Sequence, residues 1–290
     1  MTGDDYIRRF LFEALDIRGA LVRFEHGWQE MLRGRGYGIV AQRLLGEVTV
    51  VTLLIAGQLK QPARITLQVR GRGPVGTLVV DCDQQQRVRG MAIAPDDIAE
   101  GPLSALVGDG HLVMTLQTDR SATPYQSLVP LEGDSVAEVF EHFLEQSEQQ
   151  PAALWLHADG DCASALFLQK LPDADQRDAD GWNRVCRLAA TVTQEELASL
   201  PVDVLLGRLF ADEIADGGIR VFDPSVPRHN CPRDEEKVRR LVLSLGRAEV
   251  ESILAEKGEL HIHDDMCNHD YRFSVSDIAQ LFGDPPSALH

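Results

Sequence analysis

An abrupt loss of large apolar residues after Pro172 divides this sequence into a long first part and a short second part. The stretch DADQRDADG, residues 173–181, contains four aspartates and no large apolar side chain. A segment of this composition has nothing to bury, so we predict a solvated linker or loop there. A chain of 290 residues is also long enough for one large core and a smaller appended unit.

The division predicts four regions. They are a core domain at residues 1–171, a linker at 172–226, a small C-terminal domain at 227–282 and a tail at 283–290. The first region carries the stronger signals for secondary structure, and together the regions predict an α+β fold.

Alternating apolar residues at 65–69 and short apolar runs further along, separated by turn signals, predict antiparallel strands in the first region. The predicted strands lie at residues 65–69, 76–81, 88–93, 112–116, 127–131, 153–156 and 165–168. Ser135 and Glu138 form a capping-box pattern at the start of a helix that continues to Leu144. The helical spacing of apolar residues from Tyr6 to Leu15 predicts a short amphipathic helix at the N-terminus.

The remaining regions are predicted to be helical, with one hairpin. Thr193 and Glu196 form a second capping-box pattern, and an amphipathic run covers residues 204–210. Two short helices at residues 238–245 and 250–254 precede a hairpin whose strands begin at Leu260 and Tyr271. A unit of about 55 residues is marginal on burial alone, so a metal or a cross-link would stabilise it considerably.

The charge of the chain excludes several partners. Asp and Glu total 45 against 28 Lys and Arg, a formal net charge of -17. Such a chain repels nucleic acid and anionic membranes, and no nucleic-acid or membrane partner is expected. The longest apolar stretch, residues 48–56, is far shorter than the roughly 20 residues of a membrane span. An odd number of cysteines, five, fits a reducing cytoplasm better than a secreted disulfide framework.

The sequence resembles the 33-kilodalton heat-shock protein family over almost its whole length. Six segments match in the family's order. They are LKQPARITLQVRGRGPVGTLVVDCD (59–83), VRG (88–90), FLEQSEQQP (143–151), LFLQKLP (166–172), RLFADE (208–213) and EEKVRRLVLSLGRAEVESILAEKGEL (235–260).

The resemblance implies an α+β core domain, a helical linker that acts as a stress sensor, and a small C-terminal zinc-binding switch domain. In that family the reduced, zinc-bound form is inactive. Oxidation forms disulfides, expels zinc and exposes apolar surface that holds unfolding clients, and dimerisation accompanies activation. We therefore expect a cytoplasmic, ATP-independent holdase chaperone whose partners are unfolded or misfolded proteins and a second copy of the chain.

This sequence departs from the family at the switch. The family has a Cys-x-Cys pair and a Cys-x-x-Cys pair, whereas here Cys231 is followed by Arg233 and Asp264 precedes Cys267. Two of the four switch cysteines are therefore lost, at positions 233 and 264. Structural zinc takes four ligands, usually thiolates or imidazoles, and an arginine beside the metal is electrostatically adverse.

No cofactor is expected on these grounds, although the sequence offers substitute zinc ligands. Besides Cys231, Cys267 and Asp264, His263 is the main candidate, and His229, His261 and His269 lie near the two cysteines. The alternative is that these histidines are surface residues, since His261 and His263 alternate along one face of a strand.

If the family fold is retained, Cys231 and Cys267 converge at the former metal site. A disulfide between them would then lock the small domain, so that oxidation stabilises what it releases in the four-cysteine family. The alternative is two unpaired thiols that fill a small core.

Two further functions are open from the sequence. One keeps the fold but makes the protein a constitutive or heat-gated binder of unfolded proteins without redox control. The other, more remote, is a metal-dependent hydrolase that uses the run HIHDD, residues 261–265. The client-binding residues are unknown, because such surfaces depend on apolar area and have no motif.

Overall fold

Two β-sheets enclose one long apolar helix in the larger part of the molecule. The computed structural model describes residues 5–59, 61–118, 121 and 123–283. The chain divides into two compact units, residues 1–230 and residues 231–290. Of the predicted tail, 283–290, all but Gly283 lies outside the described residues.

The first unit consists of antiparallel strands and short helices around one long helix. Its strands are β1 (Tyr6–Phe12), β2 (Ile17–Phe24), β3 (Arg64–Arg70), β4 (Thr77–Cys82), β5 (Arg87–Ile93), β6 (His111–Gln117), β7 (Tyr125–Val129), β8 (Ala152–Ala158), β9 (Ala163–Lys170), β10 (Ile219–Val221) and β11 (Arg228–His229). Its helices are α1 (His26–Leu32), α2 (Ile39–Gln58), α3 (Leu103–Val107), α4 (Val136–Glu148), α5 (Ala174–Arg177), α6 (Gly181–Ala189), α7 (Gln194–Ser199), α8 (Val202–Leu209) and α9 (Ala211–Asp216).

The strands form a five-stranded and a six-stranded sheet. The orders are β10-β1-β2-β9-β8 and β11-β5-β4-β3-β6-β7. Neighbouring strands are antiparallel except for β11, which pairs with β5 in parallel. The predicted strands of the first region are confirmed, as is the α+β class.

Helix α2 lies between the two sheets and contacts strands of both. Its buried hydroxyls, Thr49 and Thr52, each donate a hydrogen bond of 2.7 Å to a carbonyl one turn earlier in the helix, so α2 carries no unpaired hydroxyl into the core. Among the described residues α2 alone is long and apolar enough to cross a membrane, but 67% of that stretch is buried inside the protein. A helix that is apolar all round is typical of a protein core. Sequence analysis recognised only the apolar stretch and missed the helix.

The predicted N-terminal helix at residues 6–15 is wrong, because this segment forms strand β1. Both faces of β1 are buried: Ile7 packs in the core around α2, and Phe10 and Phe12 pack in a second core on the opposite face. Apolar residues on both faces of a strand can imitate helical spacing. Opposite Phe10 stands Gly19, where a Cβ atom would lie 2.2 Å from the phenyl ring.

The second core joins residues 172–221 to the five-stranded sheet. Its buried residues are Phe10, Phe12, Leu15, Ile17, Leu21, Leu166, Leu168, Ala174, Val185, Ala189, Leu197, Leu205, Leu206, Leu209 and Phe210. The stretch 173–181 is mostly exposed, as predicted for a solvated segment, but it contains the short helix α5, which buries Ala174. The capping box of Thr193 and Glu196 is confirmed.

An ion-pair network also holds this region. Arg184 donates to Glu213 at 2.5 Å and to Asp178 at 2.9 Å, and Glu213 is only 8% exposed. Hydrogen bonds to Glu213 and Asp178 raise the pKa of Arg184, so its charge is permanent. The network therefore links helix α6, which carries Arg184, to helix α9, which carries Glu213.

The second unit is a helix pair on a hairpin. Its elements are α10 (Glu235–Leu245), α11 (Arg247–Lys257), β12 (Leu260–Asp264), β13 (His269–Phe273) and α12 (Val275–Leu281). The predicted helices and hairpin are confirmed, while α12, which begins at a capping box of Ser274 and Asp277, was missed. The core of this unit is small; its buried members are Val242, Val250, Leu254, Leu260 and Ile278.

We predict that Asp81→Asn destabilises the six-stranded sheet by about 1 to 3 kcal/mol. Asp81 on β4 is 6% exposed and accepts hydrogen bonds from Arg64 (2.7 Å) and Arg89 (3.0 Å) on the flanking strands. Burial alone would raise the pKa of Asp81, but Arg64 and then Arg89 hold it below its ordinary value. Urea unfolding would measure the loss, and Asp97→Asn, at an exposed carboxylate, is the matched control.

The same variant has a pH signature. Because the folded-state pKa of Asp81 is the lower one, its stabilisation is complete above the unfolded pKa of about 3.9 and is lost as pH falls through the folded value. The difference between wild type and variant is therefore expected to shrink in acid. A difference that is constant from pH 7 to pH 2 would contradict the role of the charge.

We predict that Phe210→Ala loosens residues 172–221 and costs about 3 to 5 kcal/mol of unfolding free energy. The ring of Phe210 is fully buried and meets Phe12 edge-on with centroids 5.0 Å apart. Limited proteolysis would show earlier cleavage within 172–221 than in wild type. Val204→Ala on the same helical layer, where the side chain is 48% exposed, should leave the cleavage pattern unchanged.

Candidate redox site

The second unit brings Cys231 and Cys267 together in a disulfide. Their Cα atoms are 5.3 Å apart, within the usual range for such bonds. Cys231 lies just before α10, and Cys267 lies in the turn that joins β12 to β13. The bond therefore ties the first residue of the unit to its hairpin.

Neighbouring groups hold the same two segments together. The His269 imidazole Nε2 lies 2.8 Å from the carbonyl oxygen of Cys231. The backbone N–H of Asp234 donates to the Tyr271 hydroxyl at 3.0 Å. Both contacts join the entry segment of the unit to β13, which carries the end of the hairpin next to Cys267.

Arg233 and Asp264, which stand where the family resemblance predicts two further cysteines, have partners of their own. The Arg233 guanidinium lies over the Tyr271 ring, 5.0 Å from its centre, and donates a hydrogen bond to the carbonyl oxygen of Asp270. The Asp264 carboxylate accepts the N–H of Met266 at 3.1 Å and shapes the hairpin turn. Each replacement residue therefore contributes a contact that holds the fold of the unit.

The histidines proposed as substitute ligands bond elsewhere. His261 and His263 reach the same oxygen of Asp270, at 2.6 and 3.0 Å, on the exposed face of the hairpin. The hydrogen bond to His263, and after it the one to His261, hold the pKa of the Asp270 carboxyl below its ordinary value. His229 belongs to the first unit, where its Nδ1 lies 3.2 Å from the carbonyl oxygen of Val88.

The residues present do not fit a structural zinc ion. Such a site needs four ligands around one point, but here Arg233 and Asp264 supply no soft donor. Across the described residues, no group of three or more His, Cys, Asp or Glu is arranged to hold a metal. The structure thus brings together Cys231 and Cys267 of the predicted site residues, and leaves His263 and Asp264 apart from them in other bonds.

The other cysteines are poor redox partners. Cys82 and Cys162 are buried and Cys186 is half-buried. Burial raises the pKa of Cys82 to about 12, that of Cys162 to about 11 and that of Cys186 to about 12. Because the thiolate is the reactive form, these raised pKa values disfavour reaction of the three thiols near neutral pH. This agrees with their assignment from sequence as structural residues.

Sequence reasoning missed the part played by Arg233, Asp270 and Tyr271. A usable signal existed for Asp270, because in a hairpin that pairs Asp264 with His269 it stands directly opposite His263. The stacking of Arg233 on Tyr271 left no such signal, since it depends on how the entry segment crosses the hairpin.

The run HIHDD does not build a hydrolase centre. His261 and His263 lie on an exposed strand face with Asp270, and Asp264 is bonded within the turn.

The glycines of the first unit do not build a phosphate loop either. The N–H of Gly73 donates to Val107 at 2.8 Å, and a Cβ atom on Gly71 would lie 2.1 Å from the same carbonyl oxygen. These glycines permit close backbone packing between two loops.

Comparisons with known proteins agree along the whole chain. The family model described as Hsp33 protein matches residues 5–274. The 33 kDa chaperonin of Nitrosococcus oceani is 38% identical over 282 residues, which cover 97% of this chain and 96% of that protein. The 33 kDa chaperonin of Vibrio cholerae is 35% identical over 290 residues, which cover 98% of this chain and 97% of that protein.

A solved structure supports the same conclusion for the fold. The crystal structure of the 33 kDa chaperonin from Thermotoga maritima matches with a TM-score of 0.78 at 22% identity, and the match covers 96% of this chain and 98% of that chain. Agreement of this extent in sequence and in fold shows that the chain belongs to the Hsp33 family of non-enzymatic chaperones.

Proposed function

We propose that this protein is an ATP-independent holdase whose C-terminal unit is locked by the Cys231–Cys267 disulfide and released by its reduction. Membership of a chaperone family supports the binding of unfolded proteins. The proposal that this disulfide controls activity is supported by one observation: the bond spans a unit that has a very small apolar core.

The size of that core makes the bond decisive. Five buried apolar residues form it, and a core of this kind supplies no more than about 3 to 5 kcal/mol. The disulfide joins residues 36 positions apart, and the chain-entropy model gives about 3 to 4 kcal/mol for closing a loop of that length. The disulfide and the apolar core therefore contribute similar amounts to the free energy of unfolding of the unit. Without the bond, the unit loses about half of this stabilisation.

Release needs a reductant of the dithiol class. The dithiol loses two electrons and becomes a disulfide, while the bond between Cys231 and Cys267 accepts the two electrons and two protons to give two thiols. Oxidation by a disulfide reverses the exchange. The sign is therefore opposite to that implied by the four-cysteine relatives, in which oxidation releases the switch.

The direction of this redox response determines which form of the protein is present in the absence of stress. The reduced, released form is favoured in a reducing cytoplasm, which is the compartment we propose, and oxidative stress would lock the unit. Clients are unfolded or misfolded proteins, and zinc has no part in the gate. A homodimer, as the resemblance implies, stays a prediction.

A second candidate is heat gating without any redox control. The observation that favours it is the layer of short helices over residues 172–216, which is held on the five-stranded sheet by one apolar cluster and the Arg184 network. Moderate heating would open such a layer whatever the state of the thiols.

We predict that reduced protein suppresses aggregation of thermally unfolding citrate synthase and that oxidised protein does so several-fold less well. A Cys231→Ser/Cys267→Ser variant should match the reduced protein under both conditions, because it cannot form the bond. A Cys186→Ser variant, which changes a half-buried thiol outside the pair, is the control and should respond to oxidation like wild type. Zinc content, measured in parallel, is expected to be far below one ion per chain.

The outcomes separate the candidates. Equal activity of reduced, oxidised and double-serine protein that rises with temperature supports heat gating alone. Higher activity in the oxidised protein would contradict the proposed sign. Tightly held stoichiometric zinc in the reduced protein would restore a metal switch.

We further predict that native, reduced protein at pH 7 is alkylated by iodoacetamide at Cys231 and Cys267 and not at the other thiols. The raised pKa values of Cys82, Cys162 and Cys186, between about 11 and 12, leave less than about one thiolate in a thousand at that pH. Peptide mass spectrometry would locate the label, and denatured protein, in which all five cysteines react, serves as the reference. Rapid native labelling of Cys186 would show that a third thiol takes part.

A further inference from the structure

Strand β7 leaves the outer edge of the six-stranded sheet open. It pairs with β6 on one side, and no strand among the described residues pairs with its other side. In an antiparallel ladder every second residue directs its N–H and C=O groups away from its partner strand. The described residues contain no hydrogen bond from these outer groups to another segment.

The other sheet edges of the first unit are protected. At one edge of the five-stranded sheet, the N–H of Leu154 on β8 donates to the Glu141 carboxylate of α4 at 2.6 Å. The remaining edge strands, β10 and β11, have only three and two residues, and each contains an arginine, Arg220 and Arg228. Short strands and positive charges are ordinary devices against edge pairing.

Strand β7 has none of these devices. Its sequence, YQSLV, contains no charged residue and no proline, and its register with β6 runs without a bulge. Two of its large side chains are exposed, Tyr125 at 64% and Leu128 at 66%. They lie on opposite faces of the sheet, because alternate residues of a strand point to opposite sides. A strand added at this edge would therefore find one apolar neighbour on each face.

We propose that the edge of β7 binds an extended apolar segment of an unfolded client by adding it as a further strand of the six-stranded sheet. The inference rests on the proposed holdase function and assigns it a binding element. Backbone hydrogen bonds supply attraction that does not depend on client sequence, and Tyr125 and Leu128 favour apolar side chains at neighbouring positions. Such a mode suits a protein that must bind many different unfolded chains.

A client segment fits this edge better than a second copy of the chain. A five-residue strand is about 17 Å long, and pairing over that length buries a few hundred Å², whereas a stable dimer needs roughly 1,200 Å² or more. Two copies would also bring together two formal charges of -17, which oppose association. The edge itself is neutral, so it does not repel an apolar client segment.

The test compares Tyr125→Lys/Leu128→Lys with Ile39→Lys/Val204→Lys in the reduced, full-length protein. The control pair adds the same two charges at exposed apolar positions of α2 and α8, 79% and 48% exposed. Both variants should melt at the wild-type temperature, since no buried side chain is changed. Suppression of citrate synthase aggregation is expected to weaken about tenfold in the β7 variant and to stay unchanged in the control.

Hydrogen–deuterium exchange supplies the second readout. Adding thermally unfolded citrate synthase to wild type should slow exchange of the β7 amides. Equal suppression by wild type and the β7 variant, or β7 exchange that the client does not alter, overturns the edge assignment and leaves the holdase function standing. Failure of wild type to suppress aggregation in both the reduced and the oxidised state overturns the edge assignment and the holdase function together. A concentration-dependent dimer that the lysines abolish would assign the edge to a second copy instead.

Discussion

The burial of helix α2 between two sheets is the interaction on which the first unit depends. Residues of α2 such as Leu44, Val50 and Leu53 are at most 1% exposed, and the helix touches strands of both sheets. Each sheet therefore has an apolar face that only α2 and its neighbours cover. Because the two hydroxyls of α2 in this core bond within the helix, the contact needs no polar partner from either sheet.

The second unit follows a different principle, because it has too few apolar residues to be stable by burial alone. Its stability comes from five core residues, one disulfide and the contacts of Tyr271 with Arg233 and Asp234. The disulfide joins the first residue of the unit to its hairpin turn. Because the buried core has only five members, one covalent bond makes up a large share of what stabilises the unit.

Sequence patterns predicted the structure correctly where an element depends on residues that are close together in the chain. Alternation along β3, the apolar runs of β4 and β5, and the capping residues Ser135 and Thr193 predicted elements that are present. The errors arose where two faces are buried at once. Strand β1 has a core on either side and was read as a helix, while α2 is buried without a break from Val48 to Leu54 and gave no periodic signal.

The sequence by itself determined the family and the α+β class, and it predicted that Cys231 and Cys267 are the two switch cysteines that are left. The tertiary structure alone decided that residues 173–181 fold onto the first unit, that Arg233 stacks on Tyr271 and that the edge of β7 is open. The physical reason is the range of the interactions. Capping and alternation act between residues a few positions apart, whereas stacking across a hairpin and the exposure of a sheet edge depend on segments that only folding brings together.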